Sequence, residues 1–491
     1  MAKKSYTKKR LFIDNFSAMQ NRDNNDYDLE LSEPKTCFNA KTNLGALVCG
    51  NGLSHLKLPI SQSVNYEAEM SQLSGITFTK IWHYKYYSVA NSRYDYILVG
   101  FGSDKNLYFT NIFFADTLFH SLSISMNSEP VAINFIVTGD DVIGFSSPND
   151  NFLVWYCDET PYSVSTAPKF VSICLHKQRL FVIDSGSDNL VRFSAKTDPM
   201  LWTTSNDEEG AGTIEMNDYK GQLKNLLSFG DYVFVFRDYG ISKITSYSSS
   251  SVYYASNVYS SSRKIYCTTA CVCEDKIYFL QEDGLYKFDG SNVEKVDLKF
   301  SKMLEENAQN NANTCFYNGK LFVACKLDFD DDDTIGCESG EYKNNCLVEF
   351  NPESKEYNIT RGVDICSMLP LNDLFVNKLI VLQNGSSFLW QLNTTGVLHE
   401  TVLEKKWESG KITLSSFSTN KILREVRLKC SCSCEIKIES EKRSKSFSLV
   451  ESENITRLVC SLSGKEFLMS ITSSDSNLCL SNLEMIFSEE S

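Results

Sequence analysis

The chain has 491 residues, 42% of them hydrophobic and 12% aromatic, and a formal net charge of −14. This composition excludes a disordered chain, and the acidic balance argues against a surface that binds nucleic-acid phosphates, because such surfaces are basic. The sequence has neither the apolar stretch of a secretory signal peptide nor an apolar run long enough to cross a membrane as a helix, so we expect a protein that folds in a cytosol.

Residues 1–73 do not repeat with the rest of the chain, and they predict an extended N-terminal arm with closing strands. The arm starts with a basic stretch and carries glycine turns at Gly45 and Gly50. An extended segment needs a sheet edge to satisfy its backbone, so we expect the arm to run along a partner or to close the repeats. Its polar, basic start also predicts that residues 1–20 become ordered only against a neighbouring subunit.

A hairpin pattern that occurs twice organises the middle of the chain. GDYVFVFRDYGISKI begins at Gly230 and EDKIYFLQEDGLYKF begins at Glu274. In each, an acidic residue precedes an apolar run, a polar turn ends in glycine, and a second alternating strand follows, which is the pattern of a β-hairpin. The distance from Gly240 to Gly284 suits the four-stranded blade of a β-propeller, which repeats every ~40–50 residues.

Seven such hairpins can be aligned along the chain. Their first strands begin at Asp95, Asp141, Gln178, Asp231, Asp275, Gly319 and Asn377. An aromatic residue lies near the end of almost every second strand, as expected where neighbouring blades pack flat faces together. The composition of the sequence changes again after Lys411, where short strands alternate with charged turns.

The fold class predicted from these patterns is all-β. We expect a six- or seven-bladed β-propeller over residues 74–410, preceded by the extended arm of residues 1–73 and followed by a C-terminal β-sandwich-like module over residues 411–491. Ser301–Asn310 is the best candidate for a short helix.

Two segments interrupt the period of the hairpins. Tyr247–Arg263 is rich in Ser and Tyr, which is typical of adaptable contact surfaces. Leu327–Asn345 carries a run of carboxylates that includes Asp328 and Asp333. Carboxylates bind Ca²⁺ in proteins, but this loop lacks the ligand spacing of an EF-hand, so we interpret it as a solvated acidic tip and name no metal site there.

The 17 cysteines are an odd number in a large chain and do not predict a disulfide framework. Cys430, Cys432 and Cys434 alternate, as do Cys271 and Cys273. Alternation along a strand places all members on one face, so we interpret both groups as small buried residues of the core. A zinc site would favour ligand pairs that converge from a turn.

The sequence predicts no catalytic, cofactor-binding or metal-binding residue, and therefore no enzyme. The histidines lie on separate elements, so no nucleophile and base can be paired by spacing. They are His55, His83, His120, His176 and His399. The segment SGSDNLVRF at Ser185 is similar to the Asp-box turn of sialidases but lacks its glycine and tryptophan positions.

Three stretches resemble structural proteins from the tail or neck of tailed bacteriophages, of the tail-nozzle or tail tubular protein B type. Asp198–Ile244 is similar to a propeller pattern in which a DPxxW turn leads to a GTI strand and then to a strand ending in VF. Phe38–Leu56 resembles the opening of such proteins, and Lys405–Leu428 resembles the start of their C-terminal sandwich.

The resemblance implies a non-enzymatic subunit of a phage virion, made in the host bacterial cytoplasm, that forms a ring in the tail, neck or nozzle. Its partners would be copies of itself and other virion proteins around a passage for DNA, which slides past an acidic wall without adhering. No cofactor is implied. Two alternatives stay open: a carbohydrate-binding or glycosidase-like propeller, and a cytosolic propeller scaffold.

Overall fold

The structure, a computed structural model, describes residues 6–61, 64–71, 73–89, 92–112, 119–157, 159–205, 207–217, 220–246, 252–305, 308–329, 342–372, 376–413, 419–452 and 454–490. In this part of the chain the only helical elements are two 3₁₀ turns, Ser301–Met303 and Gln309–Asn311, which stand where a short helix was expected. No helix among these residues has the length and apolar character needed to span a lipid bilayer.

Forty-three strands make up the fold of the described chain. Those of the N-terminal segment are β1 (Tyr6–Ile13), β2 (Pro34–Phe38), β3 (Ala40–Asn43), β4 (Ala46–Cys49), β5 (Gly52–His55), β6 (Lys57–Ser61) and β7 (Val64–Glu69).

The strands of the middle segment, sheet by sheet, are β8 (Phe78–Ser88), β9 (Arg93–Gly102), β10 (Asn106–Asn111) and β11 (His120–Ser125); β12 (Val131–Val137), β13 (Asp140–Ser147), β14 (Asp150–Trp155) and β15 (Tyr162–Ser163); β16 (Phe170–His176), β17 (Arg179–Asp184), β18 (Leu190–Phe193) and β19 (Gly212–Glu215); β20 (Leu223–Phe229), β21 (Tyr232–Arg237), β22 (Gly240–Ser246) and β23 (Tyr253–Ser260); β24 (Ile265–Cys273), β25 (Lys276–Gln281), β26 (Gly284–Phe288) and β27 (Val293–Lys295); β28 (Asn313–Tyr317), β29 (Lys320–Cys325), β30 (Cys346–Phe350) and β31 (Tyr357–Arg361); and β32 (Ile365–Asn372), β33 (Asn377–Gln383), β34 (Trp390–Asn393), β35 (Val397–Leu398) and β36 (Thr401–Val402).

The C-terminal strands are β37 (Lys405–Ser409), β38 (Lys421–Cys430), β39 (Cys434–Ser440), β40 (Ser444–Leu449), β41 (Ile455–Gly464), β42 (Phe467–Ser473) and β43 (Cys479–Glu490).

The middle segment is a β-propeller, so the predicted fold class is confirmed. In the described chain it consists of seven sheets in chain order, and in the first six the four strands are antiparallel neighbours in sequence. The seven predicted hairpins are the second and third strands of these sheets. The second strands, such as β17, are buried on both faces, so their sequences are nearly continuous apolar runs that are easy to recognise.

The first strands of successive sheets lie side by side, and side chains tie many of them together. Asn225 on β20 donates to the Cys267 carbonyl on β24 at 2.9 Å, and Thr314 on β28 donates to the Thr269 carbonyl at 2.6 Å. The first strand of the last sheet, β32, returns to the side of β8 in the first sheet. The sheets therefore close into a ring.

The N-terminal segment completes the last sheet. Strand β5 pairs antiparallel with β34, with His55 opposite Trp390 and Gly52 opposite Asn393. The last sheet thus has the order β32-β33-β34-β5-β35-β36, and the strand at its fourth position comes from before the first sheet. Of the two roles considered for the arm, closing the repeats is the one that the structure shows for this strand.

A β-sandwich is built from both ends of the chain. One of its sheets has the order β3-β4-β43-β38-β41 with β1 on β43, and the other has the order β2-β37-β42-β39-β40. The two sheets enclose a common core, in which the rings of Phe16 and Trp407 meet edge to face at 5.3 Å. The sandwich therefore includes N-terminal strands as well as the predicted residues 411–491.

The expectation that residues 1–20 are ordered only against a partner is wrong for the described part of that segment. Strand β1 pairs with β43 along its whole length, from Tyr6 opposite Glu490 to Ile13 opposite Leu483. Ile13 and Phe16 are each 1% exposed in the core of the sandwich. The arm has few apolar residues, but these complete a core whose remaining strands lie mostly at the other end of the chain.

The segment Tyr247–Arg263 is not an insertion into the propeller as expected. Its residues Tyr253–Ser260 form β23, the outer strand of the fourth sheet, which pairs with β22. Residues 247–251 lie outside the described chain. Ser and Tyr predominate here because most side chains of this strand face solvent.

The substitution Phe16→Ala tests whether the N-terminal segment belongs to the core. It should lower the free energy of unfolding by about 3–5 kcal/mol, since it removes a buried aromatic ring. The matched control is Phe12→Ala on β1, where the ring is 55% exposed, and its expected effect is within about 0.5 kcal/mol. Denaturant unfolding followed by intrinsic fluorescence measures both, and equal effects would refute the assignment.

Candidate functional site

The structure brings together two histidines that were expected to lie apart. His55 on β5 stacks on His399 with ring centroids 3.8 Å apart, and on its other neighbour, Phe388, at 3.9 Å. The Nδ1 of His55 also lies 3.3 Å from a carboxylate oxygen of Glu69. This proximity follows from the addition of β5 to the last sheet, which spacing along the sequence does not reveal.

The other three histidines lie in separate places. His83 stacks on Tyr96, His120 packs against Phe109, and the Nδ1 of His176 lies 2.8 Å from the Ser228 hydroxyl. These contacts are packing and hydrogen bonding within and between sheets.

The remaining sequence candidates are structural or lie outside the described residues. At the Ser185 turn, Asp184 accepts from the Gly186 amide at 2.8 Å and pairs with Arg192, so its carboxylate holds the hairpin. Of the acidic loop, residues 330–341 are not described, and the question of Ca²⁺ binding falls on them. Both Cys271 and Cys273 were expected to be buried in the core. Cys273 is buried, whereas Cys271 is half-buried on β24.

A network of buried polar groups lies at the junction between the propeller and the sandwich. Asn39, between β2 and β3, has φ = 57° and is fully buried. Its amide donates to the Ile359 carbonyl at 2.8 Å, and its side-chain oxygen accepts from the Arg361 amide at 2.7 Å. Its side-chain nitrogen donates to the Glu404 carbonyl at 2.7 Å. One residue therefore ties the sandwich to the sixth sheet and to the segment that leaves the seventh.

The backbone at Asn39 also packs directly against Gly50. The Gly50 amide donates to the Asn39 carbonyl at 2.8 Å. A Cβ at Gly50 would lie 2.8 Å from the Asn39 carbonyl carbon, which is closer than a Cβ normally comes to another heavy atom. The two turns can meet only because residue 50 has no side chain.

A buried guanidinium lies next to this turn. Arg361 at the end of β31 lies over the ring of Phe329 at 4.2 Å and over that of Phe38 at 5.1 Å. The two rings contact each other edge to face at 6.1 Å. Because the cation is 3% exposed, its attraction to the ring faces acts with little competition from water. The contact joins β2 of the sandwich to the sixth sheet.

A carboxylate stands at the centre of the junction. Glu349 on β30 accepts hydrogen bonds from Lys320 and from the side chain of Asn51. Burial of the carboxyl raises its pKa, but the hydrogen bonds from Lys320 and Asn51 outweigh burial, so the pKa lies below its ordinary value. Burial lowers the pKa of the neighbouring Lys41. The charges of Glu349 and Lys320 are thus paired within the protein.

Next to this site is a cavity of about 320 Å³ between the sandwich and the sixth sheet. Lys41, Lys320, Glu349 and Asn358 face it, and no histidine or cysteine of the described chain does. A polar cavity of this size has room for ordered water. Of the two carboxylates that line the cavity, Glu349 is paired with a lysine and an amide, and Glu356 is exposed.

Comparisons with known proteins find solved structures with the propeller fold but identify no family. No family model and no curated protein matches the chain. Solved structures similar to it include virginiamycin B lyase from Staphylococcus aureus (TM-score 0.41, 9% identity, covering 70% of this chain and 99% of that chain) and Hsv2 from Kluyveromyces lactis (0.36, 8%, 72% and 98%). PorZ of Porphyromonas gingivalis is similar at a TM-score of 0.38 and 10% identity, over 88% of this chain and 46% of that chain. Likenesses at this level assign no activity, substrate or partner to the chain.

The substitution Asn39→Ala tests the junction. It leaves two buried backbone groups without a partner, at about 1–3 kcal/mol each, so the free energy of unfolding should fall by about 2–6 kcal/mol. The control is Asn318→Ala, since Asn318 has a similar φ of 49° but is exposed. Denaturant unfolding measures both variants. The loss of stability in Asn318→Ala reports the cost of the positive φ, and subtracting it from the loss in Asn39→Ala leaves the contribution of the buried hydrogen bonds. Equal losses in the two variants would contradict the role of Asn39.

The pH dependence of stability tests the buried carboxylate. Because the folded-state pKa of Glu349 is lowered, its charge stabilises the fold above the ordinary value of 4.5, and this contribution is lost as the pH falls through the folded pKa. Glu349→Gln lacks the contribution, so the difference in stability from the wild type should be largest above pH 4.5 and shrink below it.

Urea unfolding of both proteins at a series of pH values measures this difference. Glu356→Gln is the matched control, because Glu356 lines the same cavity but is exposed. A difference that stays constant across the pH series would mean that Glu349 does not act through its charge.

Proposed function

We propose that the chain is a non-enzymatic structural subunit of a tailed-phage virion, part of a ring in the tail, neck or nozzle. The observation that carries the proposal is the junction. Asn39, Arg361 and Glu349 join the sandwich to the propeller through buried hydrogen bonds and ring contacts, which holds the two modules in one orientation. A subunit that shapes a ring needs such a fixed orientation, whereas a catalytic cleft needs free acids, bases or nucleophiles.

The stretches that resemble phage tail proteins support the proposal by their places in the fold. Asp198–Ile244 runs from the end of the third sheet through β20, β21 and β22 of the fourth, and its Trp202 is buried. Phe38–Leu56 contains the Asn39 turn and the closing strand β5. Lys405–Leu428 contains β37 and most of β38, the first C-terminal strands of the sandwich. The resemblance thus covers the propeller, its closure and the sandwich.

The outer edge of the fourth sheet is the surface that best fits a protein partner. Strand β23 has eight residues and is the longest of the outer strands in the described propeller sheets. Residues 254–257 are all exposed, and the strand has a partner, β22, on one side only. An exposed strand edge offers backbone donors and acceptors to a strand of another protein.

The charge of the chain fits a passage for DNA. A formal net charge of −14 repels phosphates, so DNA that moves through a ring of such subunits is not held by it. The repulsion between like-charged copies must then be overcome by contacts such as strand pairing, and it weakens with ionic strength.

Particles of the source phage test the proposal. Quantitative mass spectrometry should find the chain in purified particles at a fixed copy number, with its gene beside portal or terminase genes. Absence from particles, or turnover of a glycan by the purified protein, would overturn the assignment. Glycan binding without turnover would favour the carbohydrate-binding alternative.

The contact surface is tested by the double variant Ala255→Glu/Ser256→Glu. Two charges on the exposed strand should leave the melting temperature unchanged, because neither side chain is buried. Incorporation into particles should fall at least about tenfold, which corresponds to about 1.4 kcal/mol. Ser125→Glu, on the outer strand of the first sheet, is the matched control and should assemble normally. Normal incorporation of the double variant would place the contact elsewhere.

A further inference from the structure

Three cysteine thiols converge at one corner of the sandwich. The sulfur of Cys430 lies 3.6 Å from that of Cys432 and 3.5 Å from that of Cys434, and all three sulfurs lie within 4.8 Å of one another. All three residues are buried. They were expected to share one face of a single strand. The structure confirms their burial but places them around a bend.

The bend is where the chain passes from one sheet of the sandwich to the other. Cys430 ends β38 in the first sheet, and Cys434 begins β39 in the second. The inward alternation continues through the corner, with Leu428 before it and Ile436 after it also buried. Because the strand direction turns between the sheets, side chains that would be parallel in a straight strand point toward a common centre.

The corner is held by hydrogen bonds that do not involve the three thiol groups as acceptors. The Ser433 amide donates to the Asp475 carboxylate at 2.9 Å, and the Ser431 amide donates to the Cys479 carbonyl at 3.1 Å. The Ser473 hydroxyl donates to the Ser433 carbonyl at 2.7 Å. The backbone between the cysteines is therefore fixed from outside, as it is around preorganised ligand sites.

The spacing of the sulfurs fits a bound metal ion. An ion about 2.3 Å from each sulfur places the sulfurs about 3.8 Å apart in a tetrahedral arrangement. The two sulfur–sulfur distances at Cys430, 3.5 and 3.6 Å, need only small adjustments to reach this value. Thiolates are the ligands that select Zn²⁺ and Cu⁺ over hard cations such as Ca²⁺.

A buried lysine places positive charge near the three thiols. Lys405 is 1% exposed, and its ammonium donates to the Leu403 carbonyl at 2.8 Å. Cys432, Cys49 and Asp475 lie within electrostatic reach of it. A buried ammonium is costly unless an anion compensates it. Three thiolates around Zn²⁺ carry a net charge of −1, and around Cu⁺ a net charge of −2, so either complex compensates the lysine together with Asp475.

We propose that Cys430, Cys432 and Cys434 bind a single soft, thiophilic metal ion, Zn²⁺ or Cu⁺, as three thiolates. Binding forms three metal–sulfur bonds and releases the three thiol protons to solvent. The ion fixes the corner of the sandwich, and Lys405 balances the charge of the complex. The site does not depend on the virion role and does not involve the acidic loop.

Metal analysis of the full chain, purified without chelator under reducing conditions, tests the site. We expect a single Zn or Cu ion per chain. Cys432→Ser should reduce the bound metal at least about tenfold, since it removes one of the three ligands. Cys273→Ala, which removes a buried cysteine of the fifth sheet, is the matched control and should keep the metal.

A second measurement on the unaltered protein covers the case in which Cys432→Ser does not fold. The reduced, metal-free chain is titrated with Zn²⁺ and, under argon, with Cu⁺, while thiol reactivity and melting temperature are followed. Protection of three thiols by one equivalent of ion, with a higher melting temperature, supports the site, and the ion that acts at the lower free concentration is its ligand. If neither ion protects thiols, or if Cys432→Ser keeps its metal, the proposal is wrong.

Discussion

The antiparallel pairing of Gly52–His55 with Trp390–Asn393 is the constraint on which the rest of the structure depends. A propeller sheet buries its faces only against its two neighbours, so the ring is stable only when the last sheet is complete. Strand β5 provides that completion, and the residues directly before it, from Asn39 to Gly50, hold the sandwich against the sixth sheet. One short segment therefore both closes the ring and positions the second module.

This constraint determines the order in which the fold can be completed. The strand that closes the ring is synthesised before the first sheet, and the strand it pairs with belongs to the last one, so the last sheet cannot form until nearly the whole propeller exists. The same holds for the sandwich, whose core joins Phe16 to Trp407. Contacts between distant segments slow folding, and unpaired strand edges stay exposed in the meantime. Strand edges that stay unpaired until the chain is fully synthesised can therefore pair with the wrong partner.

The high number of cysteines has a structural explanation in the propeller. Several of them lie on the first strands of the sheets, which are the strands that pack beside one another around the ring. Examples are Cys174, Cys267, Cys315 and Cys366. Burial raises the pKa of these thiols, so they stay protonated and behave as small apolar groups. Small side chains suit these positions because neighbouring first strands lie close together. A side chain of one strand can then donate to the backbone of the next, as Asn225 does to the Cys267 carbonyl.

The sequence by itself determined the features that depend on local period and burial. The second strand of each sheet is an apolar run, as in Tyr232–Arg237, because it is buried on both faces, and the glycine turn after it marks the hairpin. The inward alternation of Cys430, Cys432 and Cys434 was also correct as a statement about burial. The junction residues gave no comparable signal, because Asn39, Glu349 and Arg361 are polar residues that look like surface residues in a linear pattern.

Only the tertiary structure decided which distant segments meet. Strand pairing is made by backbone hydrogen bonds, which are nearly the same for every residue type, so no pattern in Tyr6–Ile13 indicates that β43 is its partner. The stacking of His55 on His399 follows from the same kind of pairing. The three thiols converge because the chain changes sheets between Cys430 and Cys434, a change of direction that alternation along the sequence cannot express.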